Sequence, residues 1–332
     1  MNVFYCHATA LYAWVLEARK GHRLPPSRVE HIPKPNEIVR ESKEALSELG
    51  LPGLPVVHIL VSDAESRRNT QRVQCHVWSG KLPHGSVCRV KRGVYIASPE
   101  FCFLQMAPTL DFTHLVELGC ELCGLYSTGF NERNRGFADL PEPLTTVDKL
   151  CSFLVRAKGL YGANIARKAM RFILNRSRSP RESKLAISMA LPRRKGGQSC
   201  LPIELNYVVP LTGEHRKAAG KGHYKIDAYF PGGMLGFEYY GKDGHTGTVR
   251  EVKDIRRESI LNDKGIAIHV VTKSQAENAQ EIIRLAQVVR NARGLRKRTF
   301  RLEDVARTQR LLDLLYRSGR QPWWDADIIP LD

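Results

Sequence analysis

The octapeptide GIAIHVVT, residues 265–272, constrains this chain more than any other stretch. It is apolar on both alternations of an extended backbone, which predicts a strand covered on both faces and therefore a layer of helices on either side. A helical stretch over 250–264 ends at Gly265 and feeds directly into it, and another follows over 275–292. Upstream, the pattern reads as a helix over 180–191 and strands near 203–209, 223–230 and 234–240, with a last helix over 303–318. That order predicts an α/β sandwich.

The first part of the chain reads differently. HATALYAWVLEARKG and PNEIVRESKEALSELG are helical stretches closed by Gly21 and Gly50, while PVVHILVS, QCHVWSG and SVCRVKRGVYIASP read as short strands, followed by helices near 99–107 and 111–124. These make residues 1–130 a smaller α+β domain. Residues 131–146 lie in a polar, Gly- and Pro-containing linker, 147–320 form the second domain with helices over 147–158 and 162–175, and 321–332 form a tail carrying Trp323 and Trp324. The tail is expected to pack on the body, with a partner-binding patch as the minority reading.

Charge divides the chain too. Residues 1–150 carry 17 Lys and Arg against 16 Asp and Glu, whereas 151–332 carry 34 against 18. Clustered cations of this kind point to nucleic acid, because neutralising phosphates releases bound counterions. The runs PRRKGG, with Arg193, Arg194 and Lys195, and RNARGLRKRTFR, with Arg296, Lys297 and Arg298, are the candidate phosphate contacts, although such runs are often only a solvated face. No apolar run reaches the roughly 18 residues of a spanning helix, and the N-terminus lacks a secretory pattern, so a cytoplasmic protein with no membrane partner is expected. The eight cysteines sit mostly in apolar segments and read as buried thiols; a zinc site on Cys120 and Cys123 lacks a second ligand pair at zinc-like spacing.

Acidic residues then stand where apolar ones belong. Strand alternation in HYKIDAYFP sets Tyr224, Ile226, Ala228 and Phe230 on one face and Lys225, Asp227 and Tyr229 on the other. In MLGFEYYG it groups Glu238 with Gly236 and Tyr240. A hairpin through PGG would set Asp227 beside Glu238, a pair of hard oxygen ligands suited to Mg²⁺ or Mn²⁺.

Ser179, Glu182, Asp227, Glu238, Gly241, His245, Asp254, Arg257, Leu261 and Gly265 match in order and spacing a pattern of one known group. Residues 179–273 resemble the PD-(D/E)xK nuclease superfamily, in the branch of the very-short-patch-repair endonucleases. The resemblance implies a restriction-endonuclease-like α/β/α sandwich with a mixed sheet. It also implies metal-dependent hydrolysis of DNA, with Asp227 and Glu238 on the metal, Glu182 beside them, Lys242 or His245 assisting the attacking water, and Asp254 and Arg257 shaping the site. Tyr240 departs from the pattern, which has an Asp or a Lys there. The 1–130 region resembles the N-terminal part of AbiEi-type antitoxin and regulator proteins, on HATALYAW, RVKRGVYIASPEFCFLQMA and LVELGCELCG.

Each residue also has a plainer role. Glu182, three after Ser179 with Pro180 between, fits a capping box; Asp227 and Glu238 fit salt bridges with Lys225 or Lys242; His245 fits a solvated loop; Asp254 and Arg257 fit a helical ion pair. Two functions follow: a Mg²⁺- or Mn²⁺-dependent endodeoxyribonuclease in defence or DNA processing, or a nuclease-derived regulator that binds DNA without cutting it. A protein partner docked through the N-terminal domain is a third possibility.

Overall fold

The computed structural model describes residues 2–33, 56–130, 136–240 and 248–316, with positions 46 and 54, and leaves the side chains of 248–254 undescribed. The expected helix over 35–50 and the tryptophan tail lie outside the described residues, as do Lys242 and His245. The chain divides into two compact units, one over 1–173 together with 320–332 and one over 174–319. The charge step near residue 150 pointed to a boundary at the linker. The compact division falls later because α4 (Val147–Arg156) and α5 (Ala163–Ala169) bury Leu150, Phe153, Leu154, Ala163 and Ala166 in the first unit, which is therefore the longer of the two.

The first unit is built on a five-stranded sheet. β1 (Val3–Tyr5) lies at its centre, antiparallel to β2 (Val57–Val61) and parallel to β5 (Val94–Ala97); β3 (Val73–Val77) and β4 (Val87–Lys91) form its edges. α1 (His7–Arg19) leaves β1 after a single residue. α2 (Pro99–Met106) is capped by the Ser98 hydroxyl and α3 (Phe112–Leu122) by Asp111, each accepting a backbone N–H that the helix's first turn leaves unpaired. Cys120 and Cys123 are buried thiols, as expected; of the eight cysteines only Cys151 is exposed. β6 (Tyr126–Ser127) and β7 (Ala138–Asp139) form a short ribbon that carries part of the segment read as a linker back onto the residues before it.

The second unit is a four-stranded mixed sheet with helices on both faces. Its strands are β8 (Glu204–Pro210), β9 (His223–Phe230), β10 (Leu235–Tyr240) and β11 (Ala267–Thr272), in spatial order β11-β10-β9-β8; only the β10–β11 pair is parallel. Its helices are α6 (Pro180–Ala190), α7 (Gly213–Ala219), α8 (Thr248–Asp263), α9 (Lys273–Ala276), α10 (Ala279–Ala292) and α11 (Leu302–Tyr316). One core joins Leu185 and Met189 of α6, Ile282 and Leu285 of α10 and Leu312 of α11 to Leu205, Ala228, Phe230, Leu235 and Phe237 of the sheet. The opposite core sets Ile260 and Leu261 of α8 against Val209, Tyr224, Ile226 and Tyr229.

Two expectations are corrected. β11 is an edge strand paired only with β10 among the described residues, and Val270 is 56% exposed, so GIAIHVVT is not covered on both faces. Nor does β9 keep one alternation: Tyr224 and Ile226 enter one core, whereas Ala228 and Phe230 enter the other. β8 changes face at the same level, with Leu205 in the first core and Tyr207 packed on the second. Between them stand Asn206, whose φ of 50° lies in the left-handed region, and Asp227. Both strands turn over together there.

Candidate functional site

That break positions the carboxylates. The antiparallel β9–β10 ladder runs Leu235↔Phe230, Gly236↔Tyr229 and Phe237↔Ala228 and stops. The next residue on each strand is Asp227 or Glu238. Past the break the strands stay tied through a side chain, because Asp227 Oδ2 accepts the Tyr239 backbone N–H at 2.9 Å. Gly236 makes the crossing possible: a Cβ there would lie 2.6 Å from Ile226 Cγ2 and 2.7 Å from Ile268 Cδ1.

Glu182 comes from the first turn of α6. Ser179 caps that helix by accepting the Glu182 backbone N–H, and its hydroxyl donates back to Glu182 Oε1 at 3.1 Å. Glu182 Oε2 accepts the Arg178 backbone N–H and the Asn206 amide, each at 2.9 Å. The same Asn206 amide donates to the Arg176 carbonyl, which fastens the approach to α6 onto β8. Glu182 thus reaches back to the Arg178 N–H, one residue before the cap, where a full capping box would bond the Ser179 N–H.

Arg257 of α8 completes the group. Its guanidinium donates to Glu238 Oε1 at 2.5 Å and to the Lys225 carbonyl at 2.6 Å, and lies over the Tyr224 ring. Glu238 therefore pairs with Arg257 and not with Lys225; Lys242, the other partner of the salt-bridge reading, lies outside the described residues. Asp254 belongs to α8, but its side chain lies outside the described residues. Tyr240 ends β10 and is 51% exposed.

The electrostatics record the crowding. Burial, and then the charge of Asp227, push both Glu182 and Glu238 up to about 7. Burial also raises Asp227, against the pull of the Tyr239 N–H and Arg257. Asp227 and Glu238 share the Arg257 guanidinium while Glu182 is held by neutral donors, so negative charge is in excess, and like charges at short range disfavour ionising together. The donors are all hard oxygens, the set that suits Mg²⁺ or Mn²⁺. Among the described residues, however, the one trio of ligating side chains already converged to within 4.8 Å is Cys6, His7 and His76 of the first unit.

The basic runs stand elsewhere. Arg193 is committed to Asp304, at 2.6 Å, and to the Phe300 ring, so it is not a free phosphate contact. Arg194, Lys195, Arg296 and Lys297 are exposed, while Arg298 is partly buried beside Arg193 and Arg290. Arg293 binds the Pro231 carbonyl in the β9–β10 turn, which sets this basic end roughly 13 Å along the strands from Glu238. Nearer the carboxylates are cations the sequence had not marked as phosphate contacts: exposed Arg178, Arg181 over the Tyr239 ring, and Lys225. Asn206 was missed as well. Its signal was a lone amide interrupting the apolar run of IELNYVV.

Compared with known proteins, no family model, no curated protein and no solved structure matches this chain.

Proposed function

We propose that the second unit is a restriction-endonuclease-like domain that hydrolyses phosphodiester bonds of DNA with Mg²⁺ or Mn²⁺, in a defence or DNA-processing role. The observation that carries this reading is the meeting of Asp227 and Glu238 where the β9–β10 ladder stops, with Glu182 anchored beside them. Asp227 and Glu238 would hold the ion, which when bound supplies a Lewis acid for the scissile phosphate and lowers the pKa of water. Glu182, fixed by three donors, keeps the negative field that attracts the cation. Arg257 holds Glu238 in place and shields it until the ion arrives. Arg178, Arg181 and Lys225 offer positive charge for a phosphate backbone next to the acidic group.

Incubation of the full chain with supercoiled plasmid and with single- and double-stranded DNA and RNA, in Mg²⁺ or Mn²⁺, tests this. The expected result is cleavage lost at least a hundredfold in Asp227→Asn. Failure to cut every substrate, or equal cutting by the variant, overturns it. One observation favours the second reading, a regulator that binds DNA without cutting: exposed Tyr240 stands where the nuclease pattern has its lysine or aspartate. That reading expects salt-dependent DNA binding that survives chelation and the Asp227→Asn change.

A further inference from the structure

The first unit buries a second chemically loaded group, which the proposed nuclease chemistry does not use. Cys6 sits between β1 and α1, His7 opens the helix, and the parallel register of β2 and β3 pairs His58 with Gln74 and Leu60 with His76, so both histidines fall on one sheet face. Cys6 and His7 are 0% and 4% exposed and His58 is 6% exposed, which makes this an interior cluster. Its side-chain hydrogen bonds run within the group: His7 Nδ1 to Cys6 Sγ at 3.1 Å, and His58 Nδ1 to His76 Nε2 at 3.0 Å. The His7 and His76 rings stack with centroids 3.8 Å apart.

Consecutive side chains on a regular strand or helix point apart. Here they meet because His7, a residue with a Cβ, adopts φ 49°. A left-handed conformation costs a non-glycine residue roughly 1–2 kcal/mol, and such strain gathers where function needs it. It sets one sulfur and one imidazole nitrogen side by side, and His76 brings another nitrogen, the three atoms all within 4.8 Å of one another.

We propose that Cys6, His7 and His76 bind one zinc ion. Thiolate and imidazole are the donors that Zn²⁺ selects over Mg²⁺ or Ca²⁺, and bonds of about 2.0–2.3 Å span these separations after small side-chain rotations. His76 ligates through Nδ1, its Nε2–H donating to His58 Nδ1; His58 is a positioning residue that fixes the His76 tautomer. On binding, Cys6 gives its thiol proton to solvent. Three protein ligands leave a fourth position for water or for a group of another molecule.

The test is metal analysis of the full chain purified without chelator, followed by Co²⁺ titration of the stripped chain. One zinc per chain and a near-ultraviolet thiolate-to-cobalt band are expected. The band should vanish in Cys6→Ser and persist in Asp227→Asn, and His58→Gln should weaken zinc binding at least tenfold. No zinc in the purified wild type together with no cobalt band overturns the site, as does a band that survives Cys6→Ser. Should Cys6→Ser fail to fold, the stripped wild type decides: ZnCl₂ must raise its unfolding temperature where MgCl₂ does not raise that same transition, and no rise with ZnCl₂ overturns the site. None of these readouts depends on cleavage.

Discussion

Asn206 ties the acidic site together with one amide, so its replacement separates the forces involved. Asn206→Ala removes the donor to Glu182 and to the Arg176 carbonyl and leaves alanine at a φ of 50°, where asparagine is tolerated better. Loss of a hydrogen bond to a charged group costs about 1.5–3 kcal/mol, so a loss of roughly 2 kcal/mol in urea unfolding at pH 7 is expected. Asn206→Asp keeps the shape but adds a fourth carboxylate; its deficit should be large at pH 8 and shrink at pH 5. Glu182→Gln should act in the opposite sense. Glu182 titrates near 7 because burial and Asp227 oppose its charge, so the amide should raise the unfolding temperature at pH 8, change little at pH 5, and impair any metal-dependent cleavage. Asp227 and Glu238 stood out in the sequence because a carboxylate within an apolar strand pattern needs a partner, and Glu182 only through its spacing from Ser179 and the resemblance to the nuclease pattern. Asn206 did not, because its role depends on a backbone angle and on a register that only the folded strands reveal. The pairing of Arg193 was hidden for the related reason that its partner Asp304 lies 111 positions away.

At the scale of elements, β9 and β10 carry the site because their pairing fails at one level. The hairpin through PGG and its two strands were legible from their aromatic content and the Gly pair. Strict alternation then misplaced Ala228 and Phe230, since a period of two holds only while the strand keeps one twist; Asn206 and Asp227 break it on both strands at once. The edge position of β11 was equally hidden, because an apolar strand does not declare how many neighbours it has. α7 was missed since GEHRKAAG buries no side chain and so leaves no apolar period to read. Gly236 is the element-scale test. A methyl group there meets Ile226 and Ile268 at 2.6 and 2.7 Å, so Gly236→Ala should force the two isoleucines apart and cost about 1–3 kcal/mol in urea unfolding. Gly236→Ala combined with Ile268→Val, which removes the Cδ1 that the methyl meets, should recover part of that loss. No recovery would mean that the backbone of β10, and not the methyl contact, fixes the glycine.

For the whole molecule, the division into two units sharpens what the charge split meant: residues 174–319 carry 28 Lys and Arg against 15 Asp and Glu, while 1–173 carry 22 against 16. The units also bury opposite kinds of titrating group, which sets opposite responses to pH. In the first unit burial depresses His58 to about 4 and His76 to about 3, and His7 as well. A depressed imidazole stabilises the fold above its unfolded value near 6.5 and loses that contribution as pH falls toward the folded values, because the unfolded chain then takes up protons the native unit refuses. In the second unit Glu182 and Glu238 are raised to about 7, so their contribution is complete below about 4.5 and is lost as pH climbs through 7. Between pH 5 and pH 7 the first unit should therefore gain stability while the second loses it. Calorimetry on the full chain stripped of metal should show two transitions moving in opposite directions over that range, the second one identified by its fall in Asn206→Ala. Mn²⁺ at pH 7.5 should raise the second and leave the first in place, whereas Zn²⁺ should raise the first. Two transitions that move together with pH would show that these buried groups do not dominate the balance.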